Sequence, residues 1–316
     1  MDTLRSEISS FLRLVRLEQS TPPTVLEAVP SDGFTRKLVS YPTPGGDLVE
    51  AFLFEPHSPV APAAVVMLHQ HNSEWSLGKS EIAGLAGDPL QAFGPILARA
   101  GIFVLAPDAI GFESRCAAPG QGTALAPQIN RQQGTANGWL QYYNHAMHRL
   151  VRGELLITKV LADVAAAVTV IQRFSGSGRV GVAGHSYGGT IALFASALDA
   201  RVGFACASGA ACSLRHKLAH GTGLDMALVI PGFAKRFDLD DLIRCTAPRK
   251  LFVVSSEDDP YAADAADLVA NAEPAFRAHG VPENLRHLRS GRGHTLDSER
   301  FSAIAEWLTH EATTSD

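Results

Sequence analysis

The chain has 316 residues, 46% hydrophobic and 19% charged, enough to bury a sizeable core in one large domain or in two. Its net charge of −5, from 27 basic against 32 acidic residues with no basic stripe, argues against nucleic acid as a partner. No run of 18 apolar residues occurs, and Arg5, Glu7, Arg13 and Arg16 interrupt any secretory signal, so no membrane partner is expected. Cys116, Cys206, Cys212 and Cys245 lack CxxC spacing and read as reduced thiols of a cytoplasmic protein.

Leu4, Ile8, Phe11, Leu12 and Val15 recur at helical spacing. They predict an N-terminal helical extension over residues 1–30, closed by Pro22-Pro23. Its apolar stripe is expected to pack on the main body, residues 31–316; an arm of a homodimer is the alternative. Residues 36–41 and 48–54 predict a β-hairpin across the turn Pro44-Gly45-Gly46-Asp47. Residues 63–68 read as a buried strand, 93–100 as a short helix and 102–105 as the next strand. Residues 113–152, rich in Gln, Gly, Ala and Asn, form an insertion, and 154–173 a long helix. Strands over 180–183, 202–206, 251–254 and 285–288 then alternate with helices over 190–198, 262–279 and 298–308. Such alternation predicts an α/β chain with a mainly parallel central sheet and helices on both faces. Ligands in these sheets bind at the carboxyl ends of the strands.

Gly184-His185-Ser186-Tyr187-Gly188 falls between a predicted strand and a predicted helix, with Ser186 at the apex of a sharp turn. Glycines two positions away admit that turn, and the helix beyond aims free N–H groups at any anion formed there. A serine nucleophile needs an imidazole to take its proton and a carboxylate to orient the imidazole. Three carboxylates, Glu257, Asp258 and Asp259, follow the strand at 251–254. Asp259 is favoured because Pro260 stiffens the loop after it; Asp258 and Glu257 remain candidates. The loop after the strand at 202–206 offers no acid. Of twelve histidines, His294 alone occupies a strand end flanked by glycines, Gly291 and Gly293, and completes the chain order Ser, Asp, His. A zinc reading of His69 and His71 lacks a third ligand in reach, and His145 and His148, three apart on a predicted helix, read as a solvated or cap-packing face before a metal pair. Neither metal nor cofactor is therefore expected.

With these residues the chain resembles the α/β-hydrolase superfamily over about residues 36–308, and within it the dienelactone-hydrolase-like and acetyl-xylan-esterase-like bacterial hydrolases. Gly78-Lys79-Ser80-Glu81, Ala106-Pro107-Asp108 with Gly111-Phe112, and Ala247-Pro248-Arg249 carry the finer likeness. The resemblance implies the α/β-hydrolase fold and an oxyanion hole made by the backbone N–H groups of Tyr187 and His71. Gln70 is a second candidate there, because His69-Gln70 stands where relatives carry His-Gly. It further implies a serine hydrolase acting on a small-molecule carboxylic ester through a Ser186-His294-Asp259 triad. The alternatives are an acyltransferase or a peptidase or amidase with the same groups, and a non-catalytic binding protein of the same fold. The insertion at 113–152 is expected to act as a lid. Trp139, Tyr142 and Tyr143, with Gln70, Trp75 and Phe112, are candidates for the substrate pocket, although the aromatics could equally anchor the insertion.

Overall fold

The computed structural model describes residues 2–14, 22–44, 46–116 and 134–314. Its centre is a nine-stranded sheet in the order β1-β2-β3-β5-β4-β6-β7-β8-β9. The strands are β1 (Thr24–Ser31), β2 (Phe34–Pro42), β3 (Leu48–Pro56), β4 (Ala63–Leu68), β5 (Val104–Pro107), β6 (Arg179–His185), β7 (Val202–Ser208), β8 (Lys250–Glu257) and β9 (Leu285–Arg292). The pairs β1–β2, β2–β3 and β3–β5 are antiparallel, and every pair from β5 to β9 is parallel. Continuous apolar stretches make the central strands: all six residues of β4 are buried, as a strand covered on both faces requires.

Two apolar clusters line the two faces, and β4 feeds both by alternation. Ala64, Val66 and Leu68 point into one cluster, while Ala63, Val65 and Met67 point into the other. The first face is covered by helices α1 (Asp2–Phe11), α4 (Leu156–Ser175), α5 (Tyr187–Leu198), α7 (Leu239–Thr246) and α8 (Ala265–Ala278). The second carries α2 (Phe93–Arg99) and α9 (Ser298–Thr313). Helix α3 (Gly134–Val151) and the seven-residue α6 (Leu214–His220) sit near the carboxyl ends of the strands, where both contribute to one cleft.

Several expectations need correction. Helix α1 closes at Phe11, well before Pro22-Pro23; Val15 lies outside the described residues. Its stripe does pack on the body: Ile8 and Leu12 are fully buried, and Phe11 meets Phe233 and Phe237 edge-on. Residues 24–31, expected within the helical extension, form the edge strand β1 instead. The strand expected at 102–105 runs from Val104 to Pro107, because Ile102 N–H still bonds the Leu97 carbonyl at the end of α2. Strand β9 was expected to be buried but is an edge strand in which only Leu285 is buried. Of the insertion at 113–152, residues 117–133 lie outside the described residues, and 134–151 are helix α3. Among the described residues, no helix is long and apolar enough to cross a membrane.

Candidate active site

Strand β6 ends in a turn that places Ser186 at φ 55° and ψ −119°, a backbone conformation an L-residue keeps only when its surroundings impose it. The Ser186 N–H is held by the Ser208 carbonyl at 2.7 Å, and its own carbonyl accepts from Thr190 N–H at 3.0 Å. A Cβ on Gly184 would stand 2.5 Å from the Gly188 carbonyl carbon. The glycines therefore serve the close packing of the turn on β4, not a left-handed φ of their own. Helix α5 begins at Tyr187, whose N–H belongs to the first turn and has no intrahelical acceptor.

His294 Nε2 lies 2.7 Å from Ser186 Oγ, and its Nδ1 lies 3.0 and 3.1 Å from the two carboxylate oxygens of Asp259. A carboxylate only accepts, so Nδ1 carries the proton and Nε2 accepts from the serine hydroxyl. Asp259 is buried, and its Oδ1 also accepts from Tyr261 N–H at 2.9 Å. The competing acids face elsewhere. Asp258 is exposed at φ 59°, and Glu257 is exposed with Arg292 3.7 Å away. Gly291 and Gly293, at φ 71° and 70°, form the turn before His294, and Gly293 N–H bonds the Glu257 carbonyl at 2.7 Å. In general, a hydroxyl bonded in this way can give its proton to an imidazole whose cation a carboxylate then stabilises.

The serine opens on a cleft of about 680 Å³ whose walls include His71, Trp75, Trp139, Tyr142 and His294. His71 follows β4, and its ring stands among Trp75, Phe112, Tyr142 and Tyr187. Its Nδ1 accepts from Ser73 N–H at 3.2 Å. Three pocket candidates lie outside the wall. Gln70 turns away and donates to Glu81 Oε1 at 3.0 Å. Phe112 is fully buried beneath Trp75, rings 4.7 Å apart, and supports the cleft from behind. Tyr143 stacks on the wall residue Trp139, ring centres 5.3 Å apart, without itself lining the cleft. Both ring nitrogens of His69 are engaged: Nδ1 donates to the Gln70 carbonyl at 2.8 Å, and Nε2 accepts from Ala109 N–H at 3.0 Å. Among the described residues no group of three or more His, Cys, Asp or Glu side chains could hold a metal ion.

Several wall residues carried no motif in the sequence. Asp225 Oδ1 accepts from Tyr142 Oη at 2.7 Å and from Ala227 N–H at 2.7 Å, and burial raises its pKa. Tyr261 packs on His294 with ring centres 4.7 Å apart, and the Lys217 ammonium lies over the Tyr261 ring. Behind the site, the His185 ring is 5.1 Å from that of His294, with Nδ1 3.0 Å from Ser208 Oγ. Burial, reinforced by His294 and Arg300, pushes the His185 pKa down to about 3, so this second imidazole stays neutral. Two of the segments that carried the finer resemblance, those of Lys79 and Asp108, meet in a buried ion cluster. Lys79 Nζ bonds Asp108 and Glu113 at 2.7 Å each, tying the helical turn after β4 to the loop after β5.

A sheet in this order, with a serine on a strained turn between β6 and α5, is the α/β-hydrolase fold. No protein-family model matches the chain. It is similar to YtaP of Bacillus subtilis (strain 168), a protein named provisionally as a hydrolase, at 26% identity over 277 residues covering 84% of this chain and 85% of that one. Among solved structures it is similar to a Bacteroides fragilis NCTC 9343 protein described provisionally as an acetyl xylan esterase. The TM-score is 0.73 at 13% identity, over 98% of this chain and 86% of that one. A glucuronoyl esterase from Solibacter usitatus matches at a TM-score of 0.67 and 16% identity, over 98% and 92%. At these identities the structural likeness is one of fold.

Proposed function

We propose that the chain is a serine hydrolase that cleaves a carboxylic ester through an acyl-enzyme. The observation that carries this reading is the unbroken hydrogen-bond chain Ser186–His294–Asp259 opening on the cleft. The hydrolase and esterase names of the similar proteins support the same class. In this mechanism Ser186 Oγ attacks the ester carbonyl carbon as His294 Nε2 takes its proton, and Asp259 stabilises the imidazolium. The oxyanion is received by the backbone N–H groups of Tyr187 and His71, each worth about 3 kcal/mol of barrier. His294 then hands the proton to the leaving alkoxide, and a water repeats the sequence on the acyl-enzyme. Four cysteines without disulfides support a reducing, cytoplasmic setting.

Intact-mass measurement after treatment with a fluorophosphonate probe tests the reading. One adduct is expected on the parent protein and none on Ser186→Ala. A parent protein that takes no adduct would remove the hydrolase assignment, and an adduct retained by the variant would remove Ser186 as nucleophile.

A further inference from the structure

Lys217, on α6, is 5% exposed and lines the cleft, yet no carboxylate lies within 4.0 Å of its ammonium among the described residues. Its ammonium instead lies over the face of Tyr261, with Nζ 5.2 Å from the ring centre, and the buried Cys212 thiol is a further neighbour felt through its charge. The nearby acids are already engaged. Asp259 serves His294 and Tyr261 N–H, Asp225 serves Tyr142 and Ala227 N–H, and Asp264 accepts from the backbone and hydroxyl of Ser213 at 2.9 and 2.6 Å. A buried ammonium without a hydrogen-bonding anion is costly, so an anionic ligand group placed beside it would relieve that cost. Burial also lowers the Lys217 pKa, the direction that a bound anion reverses.

Position decides which part of a substrate meets this group. His294 Nε2 passes the proton to the leaving oxygen, so the alcohol half of an ester must run along the wall beside His294. That wall is Tyr261, and Lys217 stands over its ring. Among the described residues that line the cleft, Lys217 is also the one lysine or arginine. We infer that Lys217 is the specificity residue for the alcohol half, and that the preferred substrates are esters whose alcohol portion carries a carboxylate or another anionic group. This assignment rests on the ester-hydrolase reading above and deepens it.

Matched pairs of aryl acetates test it: the acetate esters of 3- and 4-hydroxybenzoate against those of the corresponding hydroxybenzamides. The parent protein is expected to favour the anionic member of at least one pair by about tenfold or more in kcat/KM, the range for one charge-assisted contact. Lys217→Met should reduce that ratio to about one, whatever happens to either value alone, and Lys217→Arg should retain a preference. Labelling of Ser186 by fluorophosphonate with no anionic preference at either position overturns the Lys217 assignment while sparing the hydrolase reading. A preference that survives Lys217→Met overturns it equally. Failure to hydrolyse any ester together with failure to label Ser186 overturns the reading beneath it.

Discussion

Gly188 sits so close to Leu68 that a Cβ on it would stand 2.2 Å from the Leu68 carbonyl oxygen and 2.8 Å from that of His69. The serine turn and the end of β4 are thus packed backbone to backbone. The two proposed oxyanion donors, Tyr187 on α5 and His71 after β4, share this contact as their common support. Gly188→Ala must push the two segments apart, because neither obstacle is a side chain that can rotate away. We expect kcat/KM for an aryl ester to fall about a hundredfold or more, as displacements near 1 Å do at reacting centres. Stability should fall by about 1–3 kcal/mol, the usual range for overpacking. Steady-state kinetics with urea unfolding checks both; unchanged kinetics would show that the contact does not position the donors.

Asp259 and Asp258 are neighbours in sequence with opposite surroundings, one buried against His294 and the other exposed. Asp259→Asn preserves the shape but can donate to Nδ1, which favours the wrong imidazole tautomer. A loss of about 10³–10⁴ in kcat is expected, against little change for Asp258→Asn. Kinetics on both variants decides the matter, and a larger loss in Asp258→Asn would reassign the acid.

Much of this arrangement was legible in the sequence because it depends on local geometry repeated along the chain. The apolar runs of β4, β6, β7 and β8 announced a parallel sheet, and Ser186 and Asp259 sit where two of them stop; His294 follows the half-exposed edge strand β9 and was marked by its flanking glycines instead. Strand β1 left no comparable mark: its residues are exposed or half-exposed, so no apolar alternation betrays it. Lys217 and Asp225 were invisible for a different reason. They lie on a short helix and a loop after β7, with no strand end to index them, and reach the cleft only through tertiary packing. Phe112 illustrates the converse. Its aromatic character was a fair signal of the pocket region, but sequence cannot distinguish a wall from the layer behind it.

His185 adds a pH dependence to stability. Its folded pKa is depressed to about 3 from an ordinary 6.5, so the unfolded chain takes up a proton that the folded chain refuses. Stability is therefore fully present above about pH 6.5 and is lost as pH falls towards 3. The contribution of this one side chain is about 1.4 kcal/mol per pH unit within that window. Urea unfolding at pH 7.0 and 5.0 should show the parent protein losing more stability than His185→Gln. Equal losses in the two proteins would mean that another group controls the slope.

Helix α1 tests whether the N-terminal stripe serves this chain or a second copy. Ile8 and Leu12 are fully buried against the body, and Arg5 spans two elements, donating to the Ala197 carbonyl at 2.8 Å and the Cys245 carbonyl at 2.7 Å. Ala197 belongs to α5, whose first residue follows Ser186, so the extension braces the far end of the helix that carries the proposed oxyanion donor. Ile8→Ala leaves a cavity in this contact and should cost about 2–5 kcal/mol. Because the partners of Ile8 are in its own chain, that loss should not vary with protein concentration. Denaturation across a hundredfold range of concentration separates the two cases: a midpoint that rises with concentration in the parent protein and loses that dependence in Ile8→Ala would make α1 an arm between copies after all.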